Sequence, residues 1–213
     1  MVSRETRTVP DWLLPSLARL DDYADLLSGP GVERGLIGPR EVPRLWERHL
    51  LNCAVVADPS IDLIAANARC ADVGSGAGLP GLVWAVVRPD LHVTLIEPLL
   101  RRARFLHEAV ERLDLAERVQ VVRDRAEQCR PEAGFDVVTA RAVAPLERLV
   151  GWTVRLLRPG GLLVALKGQS AQAEVAAAAA VTRDVGLVDL RVISVGLGTV
   201  DPPTTLIVGR RAQ

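Results

Sequence analysis

The chain is short of several things, and each shortage narrows what it can be. It has one lysine, Lys167, against 25 arginines, and aromatics make up only 3% of 213 residues. So few aromatics argue against a surface that stacks many unpaired bases. The three cysteines, Cys53, Cys70 and Cys129, are odd in number and far apart. They form no disulfide framework and no metal-ligand spacing, so reduced thiols and no bound metal are expected. No apolar run reaches about 18 residues, so no membrane contact is expected. The opening MVSRETRTVPDW is charged and lacks an apolar signal region, which points to a cytoplasmic protein. Net charge is missing as well, because 26 basic residues balance 26 acidic ones. Nucleic-acid binders often carry a global basic excess. Any such contact here has to come from local patches or a larger partner.

What is present is apolar and ordered in rhythm. At 49% hydrophobic residues the chain can build a sizeable core. Residues 11–29 carry Trp12, Leu13, Leu17, Leu20 and Leu27 at helical spacing, and 41–57 form a second amphipathic stretch. A short third helix is expected over 61–68. From residue 67 the pattern alternates. Strand-like runs at 69–73, 92–97, 118–122, 135–140 and 161–166 are separated by helical segments at 79–88, 99–113, 145–157 and 171–184. That alternation predicts an α/β fold with a mostly parallel, doubly wound sheet. Two last strands, 188–195 and 204–210, are joined by a short Gly/Pro loop and should pair antiparallel, making seven strands. The expected organisation is a short helical extension, residues 1–66, leading into an α/β domain, residues 67–213.

Residues 71–81 read ADVGSGAGLPG, at the carboxyl end of the first strand, where open α/β sheets place their ligands. Glycines there allow a sharp turn and close backbone approach to a ligand. Pro80 suits the first turn of the following helix. A bare strand-to-helix turn would not need Gly74, Gly76, Gly78 and Gly81 together. Gly76 to Gly81 also satisfies the G-x-G-x-x-G dinucleotide fingerprint, with Glu97 near the place of a ribose-binding acid. Asp72, two residues before Gly74, extends the pattern to D-x-G-x-G-x-G. In that form it resembles the S-adenosylmethionine (SAM)-dependent methyltransferases of the Rossmann-like class, and the antiparallel strand pair is that class's usual ending. In this reading Asp72, Gly74, Ser75, Gly76, Gly78 and Leu79 bind the cofactor, with the Asp72 carboxylate near its amino end. Glu97 receives the ribose hydroxyls, unless it is an exposed loop acid. Ala126 and Glu127, in RDRAEQC after the third strand, are adenine-edge candidates; Glu127 could equally open a short helix, where its charge suits the dipole.

The methyl acceptor is narrowed by what is missing after the fourth strand, in TARAVAPL. Amino-group methylation of bases commonly goes with N/D-P-P-Y/F there. The chain's Asp201-Pro202-Pro203-Thr204 lies before the last strand without the aromatic, and reads as a turn. Carbon-5 methylation of pyrimidines needs a thiolate nucleophile, and no cysteine follows strand four. What remains is an acceptor that is already nucleophilic, such as guanine N7. It loses no proton on methylation, so orientation can do the work. Arg141 and Lys167, at the ends of strands four and five, are the candidate catalytic residues. Arg141 can reach SAM, a guanine edge or a phosphate, or simply pair with an acid. Lys167 offers a compact ammonium in an otherwise arginine-based chain.

Four features in order, DVGSGAGLPG, RAE after strand three, ARA after strand four and LKG after strand five, resemble the glucose-inhibited division protein B (GidB, or RsmG) family. WERHLLNCA at 46–54 is similar to that family's R-H-hydrophobic-x-D/N-S segment, with Cys53-Ala54 where many relatives have a serine nearby. The resemblance spans residues 12–208. It implies a SAM-dependent methyltransferase acting on guanine N7 of 16S rRNA in the small ribosomal subunit, near the decoding site. It also implies SAM contacts at Gly74, Leu79, Ala126, Glu127 and Arg141.

Arg40, Arg44 and Arg48 recur every four residues, with His49 alongside, and are candidate contacts to RNA phosphates. An ordinary solvated face with Glu41 and Glu47 is the plain alternative, and helix packing is the alternative role for His49. Arg101, Arg102 and Arg104 form a second basic cluster. A monomer is expected. Two other functions stay open: a methyltransferase for a small molecule or protein, which would use the N-terminal part as an apolar lid, and a non-catalytic SAM-binding ribosome factor.

Overall fold

The computed structural model describes residues 9–213; residues 1–8 of the expected N-terminal extension lie outside the described residues. Seven strands form one sheet: β1 (Arg69–Val73), β2 (His92–Ile96), β3 (Val119–Val122), β4 (Phe135–Arg141), β5 (Leu157–Lys167), β6 (Leu187–Val195) and β7 (Thr204–Arg211). Their order is β3-β2-β1-β4-β5-β7-β6, parallel except for β7, which runs antiparallel to both β5 and β6. The expected α/β architecture and the antiparallel ending are both present.

The sheet is apolar on both faces, as parallel sheets are. Along β5, Leu162, Val164 and Leu166 enter one core while Leu163 and Ala165 enter the other. The first face carries α3 (Gly81–Val87) and α4 (Leu100–Arg112); the second carries α5 (Leu146–Thr153) and α6 (Ala171–Asp184). Because α3 and α4 follow β1 and β2, they cover only one half of their face. The N-terminal residues cover the other half. Leu13, Leu20, Tyr23, Leu45, Leu50 and Val55 join the same core as Val164 and Leu206.

The N-terminal helices are less regular than their periodicity suggests. Only α1 (Leu17–Leu26) is a full α-helix; a single turn, α2 (Asn52–Ala54), lies later. Between and around them run 3-10 turns at Asp11–Ser16 and Pro39–Arg44 and π-helical turns at Leu27–Gly31 and Leu45–Leu51. Pro15, Pro30 and Pro43 lie inside these stretches. Each lacks the amide proton that a regular ladder needs. The helix expected over 61–68 does not form. A 3-10 turn at Pro59–Ile61 ends on Asp62, whose φ of 50° stops it, and Asn67 is also left-handed at 57°. That segment is pinned by Arg88, which donates to the carbonyls of Ile64 and Ala65 and pairs with Asp90 at 2.7 Å. Pro80 stands one place earlier than expected. It is the N-cap of α3, its carbonyl accepting the Trp84 amide.

Candidate functional site

The carboxyl ends of β1 to β4 present their loops along one rim, with the order reversing between β1 and β4. The glycine loop occupies this switch point, where open sheets bind ligands. Gly74, Gly76 and Gly78 all take positive φ. Glycine is required at Gly78: at φ 96° a side chain is strained, and an added Cβ would lie 2.7 Å from the Tyr23 hydroxyl. The turn is tied by the Ser75 hydroxyl, which donates to the Asp72 carbonyl at 2.8 Å, and by the Gly78 amide, which donates to the Ser75 carbonyl at 2.6 Å. Gly74, Gly76 and Leu79 stay partly exposed while their neighbours are buried.

Two carboxylates stand under this loop, and both are buried. Glu97 is 1% exposed, so it is not a loose loop acid. Its Oε2 accepts the Gly76 amide at 2.9 Å and its Oε1 the Leu99 amide at 3.0 Å. Asp72 is fully buried. One oxygen accepts the Gly81 amide at 2.9 Å and the other, Oδ1, has no hydrogen-bond partner among the described residues. Burial pushes this carboxyl up to about 7, against the Gly81 hydrogen bond. A buried acid with an unused oxygen and a penalty for ionising suits a site that receives a cation. Ala126 is buried beneath the rim after β3, and Glu127 is exposed beside it in a turn rather than a helix.

At the end of β4, Arg141 is half-buried and turned toward the N-terminal segment. Its Nη2 lies 2.6 Å from His49 Nδ1 and donates to the Arg48 carbonyl at 3.4 Å; its Nη1 donates to Cys53 Sγ at 3.2 Å. Among the described residues none of these partners is a carboxylate. His49 Nε2 in turn lies 2.9 Å from Glu41 Oε2. Ala142, next in the chain, takes φ 55° and turns the loop away from the strand. Lys167 spends its donors on the Ala144 carbonyl at 2.7 Å and Glu174 at 2.6 Å. Burial works to raise the Glu174 carboxyl, but hydrogen bonds from Lys167, the Leu146 amide and Ser170 hold it below its ordinary value.

Beyond Arg141, over β4, β5 and β7, lies an open cleft of about 1450 Å³. Arg44, Arg48, Arg141, Lys167, Trp46 and Asp201 are among its walls. Arg44 and Arg48 thus share the cleft, but Arg40 does not line it. The 3-10 and π-helical turns break the single helical face that their spacing implied. Both ring nitrogens of His49 are engaged within the protein.

Several contributors were hidden in the sequence. Tyr23 is fully buried and donates to the Ala77 carbonyl at 2.5 Å, bracing the glycine loop from α1. Trp84 Nε1 donates to the Cys53 carbonyl at 3.0 Å, and Thr204 donates to Asn52 Oδ1 at 2.5 Å. Asp201-Pro202-Pro203, expected to be a turn, is a bend that leads into β7 and forms part of a cleft wall. Cys53 stands beside Arg141, although no cysteine follows β4. Its thiol is fully buried, and burial pushes its pKa up against the pull of Arg141. It is therefore held as a neutral thiol, the opposite of an activated nucleophile.

This combination of sheet order, glycine loop and buried β2 acid defines a Rossmann-like, SAM-dependent methyltransferase, and SAM is its cofactor. The fold matches that of a SAM-dependent O-methyltransferase from Thermotoga maritima, with a TM-score of 0.59 at 15% identity, covering 76% of this chain and 65% of that one. Residues 16–199 match the GidB family, rRNA small subunit methyltransferase G, and the chain belongs to that family. Relatives carrying the name ribosomal RNA small subunit methyltransferase G include one from Salinispora tropica, 59% identical over 191 residues, covering 87% of this chain and 77% of the relative. Another, from Nocardioides sp., is 48% identical over 211 residues, covering 97% and 82%. No helix among the described residues is long and apolar enough to cross a membrane, and no cluster of candidate metal ligands occurs there.

Proposed function

We propose that the chain methylates N7 of a guanine in 16S rRNA of the small ribosomal subunit, near the decoding site, as a cytoplasmic monomer. The observation that carries this reading is the position of Arg141. It joins the glycine-loop rim to a large cleft edged by Arg44 and Arg48. At about 1450 Å³ the cleft exceeds the roughly 300–1,000 Å³ of small-molecule sites. It suits an extruded nucleotide with part of its backbone. The N-terminal residues lining it are mixed, with Arg44, Glu47, Arg48 and Asn52 polar and Pro43, Trp46 and Leu51 apolar. Arg44 and Arg48 among them give the face cations that a purely apolar lid would lack.

SAM, when bound, supplies a methyl group on a positively charged sulfur. Asp72 and the loop residues Gly74, Ser75, Gly76, Gly78 and Leu79 would hold its amino-acid end. Glu97 would take the ribose hydroxyls on the lone pairs its backbone bonds leave free. Ala126 and Glu127 would flank the adenine. Arg141 has five donors, of which three are engaged by described residues. Among the described residues its Nε–H and one Nη1–H have no partner, and these would hold guanine O6 or a phosphate, fixing N7 in line with the methyl. Guanine N7 loses no proton, so no base is needed. That agrees with Lys167 acting by fixing the 142–145 loop through Ala144 and Glu174 rather than carrying a proton. Residues 1–66 form the substrate side in this account, with Arg44 and Arg48 placed for RNA phosphates and Arg40 further out.

The test is incubation with labelled SAM and small subunits lacking this modification, followed by nucleoside mass spectrometry. The expected product is 7-methylguanosine. Unlabelled RNA, with SAM binding confirmed separately, would overturn the reading.

A further inference from the structure

Arg141 is held by a chain of two side chains, His49 and Glu41, that reaches outward through the N-terminal segment. A guanidinium only donates hydrogen bonds. At 2.6 Å from Arg141 Nη2, His49 Nδ1 must therefore present its lone pair. The ring proton is then on Nε2, where it is donated to Glu41 Oε2 at 2.9 Å. A doubly protonated His49 would point an N–H at the guanidinium and set two cations against each other.

We infer that Glu41 and His49 are positioning residues for methyl transfer: neutral His49, fixed in its Nε2–H form by Glu41, orients the Arg141 guanidinium, and protonation of His49 releases it. This rests on the role given to Arg141 above. The charged groups acting on His49 are Arg48 on its own turn, Glu41 on the preceding one and Arg141 from β4; Arg44 acts on Glu41, and the neutral thiol of Cys53 lies beside Arg141. Burial first, then Arg141, lowers the His49 pKa, while Glu41 opposes them. The neutral form therefore prevails at neutral pH, and transfer should fall as pH drops through a midpoint below the ordinary histidine value of about 6.5.

The ligand-free protein gives the first readout. Its three histidines, His49, His92 and His107, make NMR of the imidazole nitrogens assignable. His49 should titrate as the Nε2–H tautomer. Arg141→Met should raise its pKa by removing a cation, and Glu41→Gln should lower it by removing an anion. The opposite tautomer, or a pKa moved by neither variant, overturns the inference whatever the reaction proves to be. The second readout is kcat against pH with the wild-type substrate. His49→Asn keeps an acceptor near the Nδ1 position but cannot titrate. It should lose the acid limb, while His49→Ala should lose roughly ten- to hundred-fold in kcat with KM for the subunit little changed. Asp72, at about 7, titrates in the same range, so the comparison is between the wild-type and His49→Asn profiles. An acid limb kept unchanged in His49→Asn, or a wild-type kcat in His49→Ala, overturns the inference. A wild-type enzyme that modifies no subunit RNA overturns the functional reading instead, and leaves the NMR result standing.

Discussion

At the scale of single residues, the site depends on polar groups whose charge the fold controls. Asp72 shows this most plainly. Its folded value of about 7 lies above the roughly 3.9 of an unfolded chain. Between those values the folded state binds more protons than the unfolded one. Its contribution to stability is full below about pH 4 and is lost as pH rises through about 7. Asp72→Asn removes this cost and still offers an oxygen to the Gly81 amide. In the ligand-free protein it should unfold less readily than wild type at pH 8, by about 1–3 kcal/mol, while losing SAM affinity. Thermal unfolding of both proteins at pH 5 and pH 8 checks this. Identical pH dependence would show that Asp72 is not the strained acid described. Asp90 is the opposite case. The hydrogen bond from Arg88 draws it down to about 2, so its contribution is present above about pH 4 and is lost only as pH falls through 2.

At the scale of elements, the account turns on how the N-terminal turns brace the glycine loop. Tyr23, fully buried on α1, donates to the Ala77 carbonyl. Tyr23→Phe leaves that carbonyl buried and unpaired, at a cost of about 1–3 kcal/mol. The expected result is weaker SAM binding by calorimetry and a lower Tm, with transfer at saturating SAM little affected. Unchanged SAM affinity would mean that the loop needs no brace. Such contacts also mark the limit of what the sequence discloses. The seven strands, the glycine loop and the antiparallel ending follow from local pattern: β-rich runs, glycine spacing and turn residues. Tyr23 and Ala77 are 54 residues apart, Arg141 and His49 are 92 apart, and Asn52 and Thr204 are 152 apart. No periodicity announces a pairing at such range. The prolines within the N-terminal turns likewise undid the arginine stripe, since spacing of four means one face only on a regular α-helix.

At the scale of the whole molecule, the balance of charge extends to the cleft. Arg44, Arg48, Arg141 and Lys167 line it together with Glu47, Glu174 and Asp201, and Lys167 is paired with Glu174. The glycine-loop rim over β1 to β3, proposed above to hold the cofactor, and the cleft over β4, β5 and β7 lie along one sheet edge, with Arg141 between them. The most direct test of that arrangement is Arg141→Ala, measured for SAM dissociation constant and for single-turnover methyl transfer to undermethylated small subunits. The account predicts a folded protein whose SAM affinity changes by less than about tenfold and whose transfer rate falls on the order of a hundredfold or more. Transfer near the wild-type rate would contradict it, because the guanine would then be oriented without the residue that lies between rim and cleft.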